Sequence, residues 1–199
     1  IMAITINGNG TLTGVSVGGL PDGIVDTDML AAKAATAPKL GNGSILQVVH
    51  TDSNTHFTTN STSFVDVTGM SAAITPSSSS NKILIVCSLA ISKLDNHSML
   101  GKIVKNGSDI SGAGGVIESG HSSQLAGVWW LIRSYGHSAN LYTAQYMDTA
   151  GSTSSITYKV QGRSSASSQN FYINYTYYGE DQVYASPSSS GLTLYEVAA

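Results

Sequence analysis

The 199-residue sequence reads as an all-β chain, a β-sandwich or jelly roll, on three observations. Ile83, Ile85, Cys87, Leu89 and Ile91 alternate with Leu84, Val86, Ser88 and Ala90, so residues 83–91 make a strand apolar on both faces, which needs cover on both sides. Nine or ten short strand-like runs follow one another, separated by Gly, Ser, Asn and Pro turn residues. The only convincing helical run stands near the N-terminus, so no crossover helices separate the strands and a parallel α/β fold is excluded.

Taken in order, Ile4 and Ile6 alternate with polar residues, and Asn7-Gly8-Asn9-Gly10 is a hairpin signal. Leu12, Val15 and Val17 follow. These five apolar residues are too few to bury themselves, which predicts an extended segment ordered only against a copy of itself or a partner. Leu20-Pro21-Asp22-Gly23 is a turn. Residues 29–37 form the helix signal, with Asp26-Thr27-Asp28 before it and Pro38 as its stop. A helix of three turns is too short to hold alone, so Met29, Leu30 and Ala34 must dock either on the chain's own domain or in a bundle with copies of it, and small alanines favour the bundle. Residues 40–44, LGNGS, carry little that would order them, and the domain boundary is placed there: 1–40 as an N-terminal segment, 41–199 as the sandwich.

Within 41–199, strands are expected at 45–51, 57–59, 63–68 and 72–75. The 72–75 run leads through Pro76 and Ser77–Asn81 into the central strand and is expected as its antiparallel neighbour. Residues 99–105 end at an Asn106-Gly107 turn, 112–123 read as a surface loop, and 125–135, 141–147, 156–161, 171–178 and 192–197 as further strands. The second layer is expected from 125–135 together with the aromatic 171–178 run. There Phe171, Ile173, Tyr175 and Tyr177 would share one face, and Tyr172, Asn174, Thr176 and Tyr178 the other. Of the adjacent Trp129 and Trp130, one is expected in the core and one toward an interface or solvent.

Charged residues make up 11% of the chain and the net charge is −3. Lys and Arg are scattered. That excludes the basic patch a nucleic-acid partner requires. No run approaches the roughly 20 apolar residues of a membrane span, so no membrane insertion is expected. The opening residues lack the cationic and apolar parts of a secretion signal. The single cysteine, Cys87, reads as a small buried hydrophobe. His50, His56, His97, His121 and His137 show no metal-ligand spacing. Asp52-Ser53-Asn54 lacks the acidic positions and glycine of a calcium loop. Asp148 and the pair Glu180-Asp181 read as turn acids rather than glycosidase carboxylates. No nucleophile elbow, phosphate loop or dinucleotide fingerprint occurs. No cofactor, no metal and no enzymatic activity are expected.

Three stretches carry a family resemblance. The opening MAITINGNGTLTGVSVGGLPDGIVDTDMLAAKAATAPKLGNGSILQVV contains DG-x-V-D-T-D-x-L, then Ala-Ala-Lys-Ala, then Gly-Ser-x-x-Gln. TSFVDVTGMSAAITPSSSSNKILIVCSLAIS and the closing GLTLYEVA are the other two. The opening resembles small tail-fibre proteins of phages of marine and cyanobacterial hosts, and the other two resemble the phage version of the tumour-necrosis-factor-like trimeric jelly roll. The resemblance implies a homotrimeric fibre in the virion. The N-terminal segment, with Ile4, Ile6, Leu12, Val15 and Val17, would anchor it to other phage structural proteins. Met29, Leu30, Ala34, Tyr172 and Tyr178 are the expected trimer contacts, and the head would meet host surface polysaccharide or protein. A capsid decoration protein or head fibre is the alternative placement, and a glycan depolymerase a third. The receptor-binding residues are not assigned.

Overall fold

In the computed structural model the doubly apolar run forms one long strand at the centre of a sandwich. The structure describes residues 5–6, 12–13, 40–93, 98–110, 130–132, 136–176 and 188–199. The strands in chain order are β1 (Thr5–Ile6), β2 (Leu12–Thr13), β3 (Ile45–Ser53), β4 (Phe57–Thr59), β5 (Val65–Ile74), β6 (Lys82–Lys93), β7 (Met99–Lys105), β8 (Ser108–Asp109), β9 (Trp130–Ile132), β10 (Gly136–Thr149), β11 (Ile156–Ser164), β12 (Phe171–Ile173) and β13 (Ser190–Val197). No helix occurs among the described residues, and the expected helix over 29–37 lies outside them. The chain divides into two compact units, Ile1–Leu40 and Gly41–Ala199. In the first unit, β1 and β2 pair antiparallel with Ile6 opposite Leu12, across the Asn-Gly turn signal.

The second unit is a jelly roll. One sheet runs β3-β13-β6-β10, and the other β5-β11-β7-β9, with every pairing antiparallel. The chain alternates between these sheets as two interlocked Greek keys do. The short β12 and β4 extend the first sheet beyond β13, and β8 adds to β7. Ile83, Ile85, Cys87, Leu89 and Ile91 face inward and are buried, as are Leu192 and Leu194 beside them. From the other sheet Met70, Ala72, Ile74, Ile103, Ile156, Tyr158 and Val160 meet them. Cys87 is fully buried in this core, and desolvation pushes its thiol far above its ordinary range.

Three sequence expectations are corrected. Residues 63–68 and 72–75 are one strand, β5, interrupted by a bulge at Gly69. The bulge changes the phase of burial: Val67 points inward before it and Met70, Ala72 and Ile74 after it, with Thr68 and Gly69 exposed between. Second, β5 does not pair with β6. It pairs with β11, Ile74 opposite Ile156, and the turn between β5 and β6 crosses from one sheet to the other. Glu196 holds that turn. Its carboxylate sits at the end of the core, accepting hydrogen bonds from the Ser77 amide and hydroxyl (both 2.7 Å), Asn81 Nδ2 (2.6 Å) and Gln47 Nε2 (2.6 Å). Third, the aromatic C-terminal run belongs to the first sheet, not the second, and its strand ends at Ile173. Asn174 takes φ +60, so Asn174 and Thr176 are buried while Tyr175 is half-exposed, the reverse of the expected faces. Phe171 reaches across the core: a methyl on Gly162 would lie 2.8 Å from its Cζ.

Gly69 has φ +81, and a Cβ there would lie 2.5 Å from Ser53 Oγ; Gly43, at φ +86, faces open space. Gly69→Ala therefore combines backbone strain with a clash and should cost about 2–3 kcal/mol, against about 1 kcal/mol for Gly43→Ala. Urea unfolding midpoints of the two variants check the difference. Burial pushes the Glu196 carboxyl up, but hydrogen bonds from Asn81, Gln47 and Ser77 outweigh it and hold it below its ordinary value of 4.5. A depressed folded value means stability that is present above the unfolded value and lost as pH falls through the folded one. Glu196→Gln should be less stable than the parent at pH 7, and the gap should close below pH 4.5, as read from melting curves across that range.

Candidate assembly face

The period of a strand turns every second residue of β6 away from the core. Leu84, Val86 and Ser88 therefore lie on the outer face of the β3-β13-β6-β10 sheet, and the registers align them with their neighbours in rows. One row is Val48, Tyr195, Leu84, Met147, running across all four strands. The next is His50, Thr193, Val86, Gln145, and the third Asp52, Gly191, Ser88, Thr143. At the usual strand spacing the first row spans about 14 Å. It is open: Val48 is 52% exposed and Met147 47%, and Leu141, on the same face, 61%. Leu84 and Val86 are only half-buried.

No Asp, Glu, Lys or Arg stands in the first two rows. His50 Nδ1 pairs with Thr193 Oγ1 at 2.8 Å in the second row, and Ser88 Oγ with Thr143 Oγ1 at 2.7 Å in the third. Lys82, at the margin, donates to Thr149 Oγ1 at 2.8 Å. The second sheet is built differently. Lys159 pairs with Asp66 at 2.9 Å, Lys102 with Asp109 at 2.5 Å, and Lys102 and Arg163 both lie over the Phe64 ring. Hydrogen bonds from Gln161 and then Lys159 hold the Asp66 carboxyl below its ordinary value. The second sheet thus carries paired charges on its face, whereas the apolar row and the row beside it on the first sheet carry none.

The apolar row lies at the end of the sandwich where the chain arrives. Gly43 N donates to Ala198 O (2.8 Å) and Ala198 N to Ser44 O (2.9 Å), placing Ile45 beside the C-terminal strand. At the other end of β6 the surface becomes aromatic. There Tyr172 is paired with Thr58 on one side and Ser92 on the other, and its ring is 6.0 Å from that of Tyr175. Tyr175 in turn stacks on His56 at 4.6 Å and 36°. Beneath them β13 ends and β12 takes over the same edge of β6. Ala90 N donates to Ser190 Oγ (3.0 Å), Ser190 Oγ to Asn174 Oδ1 (2.6 Å), Asn174 N to Ala90 O (2.9 Å) and Asn174 Nδ2 to Thr55 O (3.1 Å).

Of the residues singled out from the sequence, Ile6 and Leu12 face each other in the β1–β2 ladder. Ile4, Val15, Val17, Met29, Leu30, Ala34 and Tyr178 lie outside the described residues, as do Trp129, His97, His121, Glu180 and Asp181. Tyr172 is half-buried in the aromatic cluster, eight residues along β6 from the apolar row. Asp148 is no turn acid: it lies in β10 and holds the second sheet through Tyr158 (2.7 Å) and Lys105 (2.8 Å). No cluster of three or more metal-ligating side chains occurs among the described residues. The sequence reading missed Val48, Met147 and Tyr195. Their signal was indirect: the second apolar face of β6 demanded a cover, and the second sheet supplies only one.

No family model matches the chain, and no curated protein matches it. Among solved structures, the VP2 subviral particle of infectious bursal disease virus is similar with a TM-score of 0.36 at 14% identity, over 77% of this chain. The match spans 37% of the VP2 chain. The jelly-roll assignment rests on the strand order itself.

Ser190 holds the junction between β12 and β13 with a single hydroxyl that both accepts and donates. Ser190→Ala leaves Ala90 N and Asn174 Oδ1 buried without their partner. It should cost about 2 kcal/mol, read as a lower denaturant midpoint.

Proposed function

We propose that this chain is a structural virion protein, a homotrimeric phage tail fibre whose jelly-roll head contributes to host-surface attachment. The observation that carries the reading is the open apolar row Val48, Tyr195, Leu84, Met147, with no charged residue in it or in the row beside it. Fully burying one Val, Leu or Met side chain stabilises by about 1.5–3 kcal/mol, so a row of them is a strong drive to associate. A second copy is the occupant this face suits. Identical surfaces meeting around an axis bring like groups close together, which an apolar and hydroxyl face tolerates and the charged face of the other sheet does not. The N-terminal DG-x-V-D-T-D-x-L and Ala-Ala-Lys-Ala motifs support placement on a phage particle through residues 1–40.

Light scattering on the purified chain should give three times its 20.6 kDa mass. Leu84→Lys and Met147→Asp should each lower that mass to the monomer while far-ultraviolet dichroism stays that of a β protein. A parent that runs as a monomer at micromolar concentration overturns the trimer. Labelled particles should carry the protein at the tail; label over the capsid would replace the fibre by a decoration protein.

A further inference from the structure

The aromatic end of the sheet differs from the apolar row in a way that points to a small polar ligand. Tyr172, Tyr175 and His56 form a continuous run of rings, with centroids 6.0 and 4.6 Å apart. His56 is exposed and the two tyrosines half-exposed. Cross-strand partners in an antiparallel ladder share a face, so Thr58 and Ser92 flank Tyr172 on the same side. Ser92 is buried at 3% exposure, so Thr58, which is exposed, is the hydroxyl that reaches the surface beside Tyr172.

We propose that Tyr172, Tyr175 and His56 are a stacking platform for a neutral pyranose of a surface glycan, with the Thr58 hydroxyl at its edge. The inference rests on the attachment reading and gives that reading a site. A sugar ring has a face of C–H groups, weakly positive, which suits the negative face of an aromatic ring, and a rim of hydroxyls that exchange hydrogen bonds. Tyrosine presents such a face and loses little side-chain freedom in doing so. None of the four residues is Asp, Glu, Lys or Arg, which favours a neutral over an anionic sugar. The platform is rigid because it stands on the β12–β4 ladder and on Asn174, which is 2% exposed and bonded through its amide, its Oδ1 and its Nδ2.

The test is saturation-transfer NMR on the full chain with neutral methyl pyranosides: hexoses, 6-deoxyhexoses and N-acetylhexosamines. Transfer to ring protons of at least one is expected, with affinity falling about tenfold in Tyr175→Ala and in His56→Ala. His56 is an exposed loop residue, so its loss leaves folding intact, and Tyr175→Phe, which keeps the ring, should retain binding. No transfer to any neutral pyranoside overturns the platform. So does transfer only to uronates or sialosides, or transfer undiminished in the Tyr172→Ala/Tyr175→Ala double variant. Mass and particle labelling are read separately: sugar transfer to a chain of monomeric mass would sink the trimer and leave the platform, and a trimer without transfer would do the reverse.

Discussion

A twelve-residue strand with two apolar faces can turn only one of them into a sandwich. Ile83, Ile85, Cys87, Leu89 and Ile91 are the face that the second sheet covers, and they fix everything laid beside β6. With Ile85 inward, its partners Leu194 and Tyr146 must point inward as well. A slip of one residue in either neighbour would turn its apolar set to solvent, so the register is held by the core. The outer rows are a by-product of the same constraint. Once the inner face is set, Leu84 has no choice but to stand beside Tyr195 and Met147, and Val48 beside Tyr195. The open apolar row is therefore built with the same rigidity as the core behind it.

The same length creates a second problem, solved with polar groups. β6 outruns β13, and β12 takes up the remainder of that edge. Between two strands sharing an edge, backbone groups fall out of register and would be buried without partners. Ser190, Asn174 and Thr55 close the gap with four hydrogen bonds around Ala90. Asparagine tolerates the positive φ this requires better than most side chains, and its amide offers both a donor and an acceptor. The turn at Asn174 also takes Tyr175 out of the ladder and lays it against His56, so the seam and the aromatic cluster are one feature.

Much of the sandwich was legible in the sequence, because strand period and turn residues are local signals. The doubly apolar run, the Asn106-Gly107 turn and the closing strand all stand where the pattern puts them. What was not legible depends on contacts between residues far apart in the chain. Residues 72–75 precede β6 by a short turn, which reads as a hairpin. The pairing of β5 with β11 makes that turn a crossover, and Glu196, 119 positions beyond Ser77, ties it down. The Gly69 bulge was hidden because an inserted residue breaks the alternation that defines a strand, so one strand reads as two. Tyrosines at 172 and 175 drew attention through composition, but the side Tyr175 takes depends on a single backbone angle at Asn174. Val48 and Met147 escaped notice because a lone apolar residue in a polar strand is ordinary; only the register makes four of them a row.

The two features of the outer face sit at opposite ends of β6, eight residues or about 26 Å apart, Leu84 beside the arriving chain and Ser92 beside the rings. That separation matters for how weak contacts work. A single sugar on two or three rings, mostly open to water, exchanges one set of hydrogen bonds for another and gains little beyond the stacked area. Such a site becomes useful only when several copies are held together, since the second and third contacts then occur at high effective concentration without any new interaction. In the proposed assembly the apolar row would hold copies together without occupying the rings. With both on the same end of the strand, association would cover the proposed ligand surface. Placed apart on one strand, the first would strengthen the second, and the length of β6 that makes the seam at Ala90 necessary is what separates them.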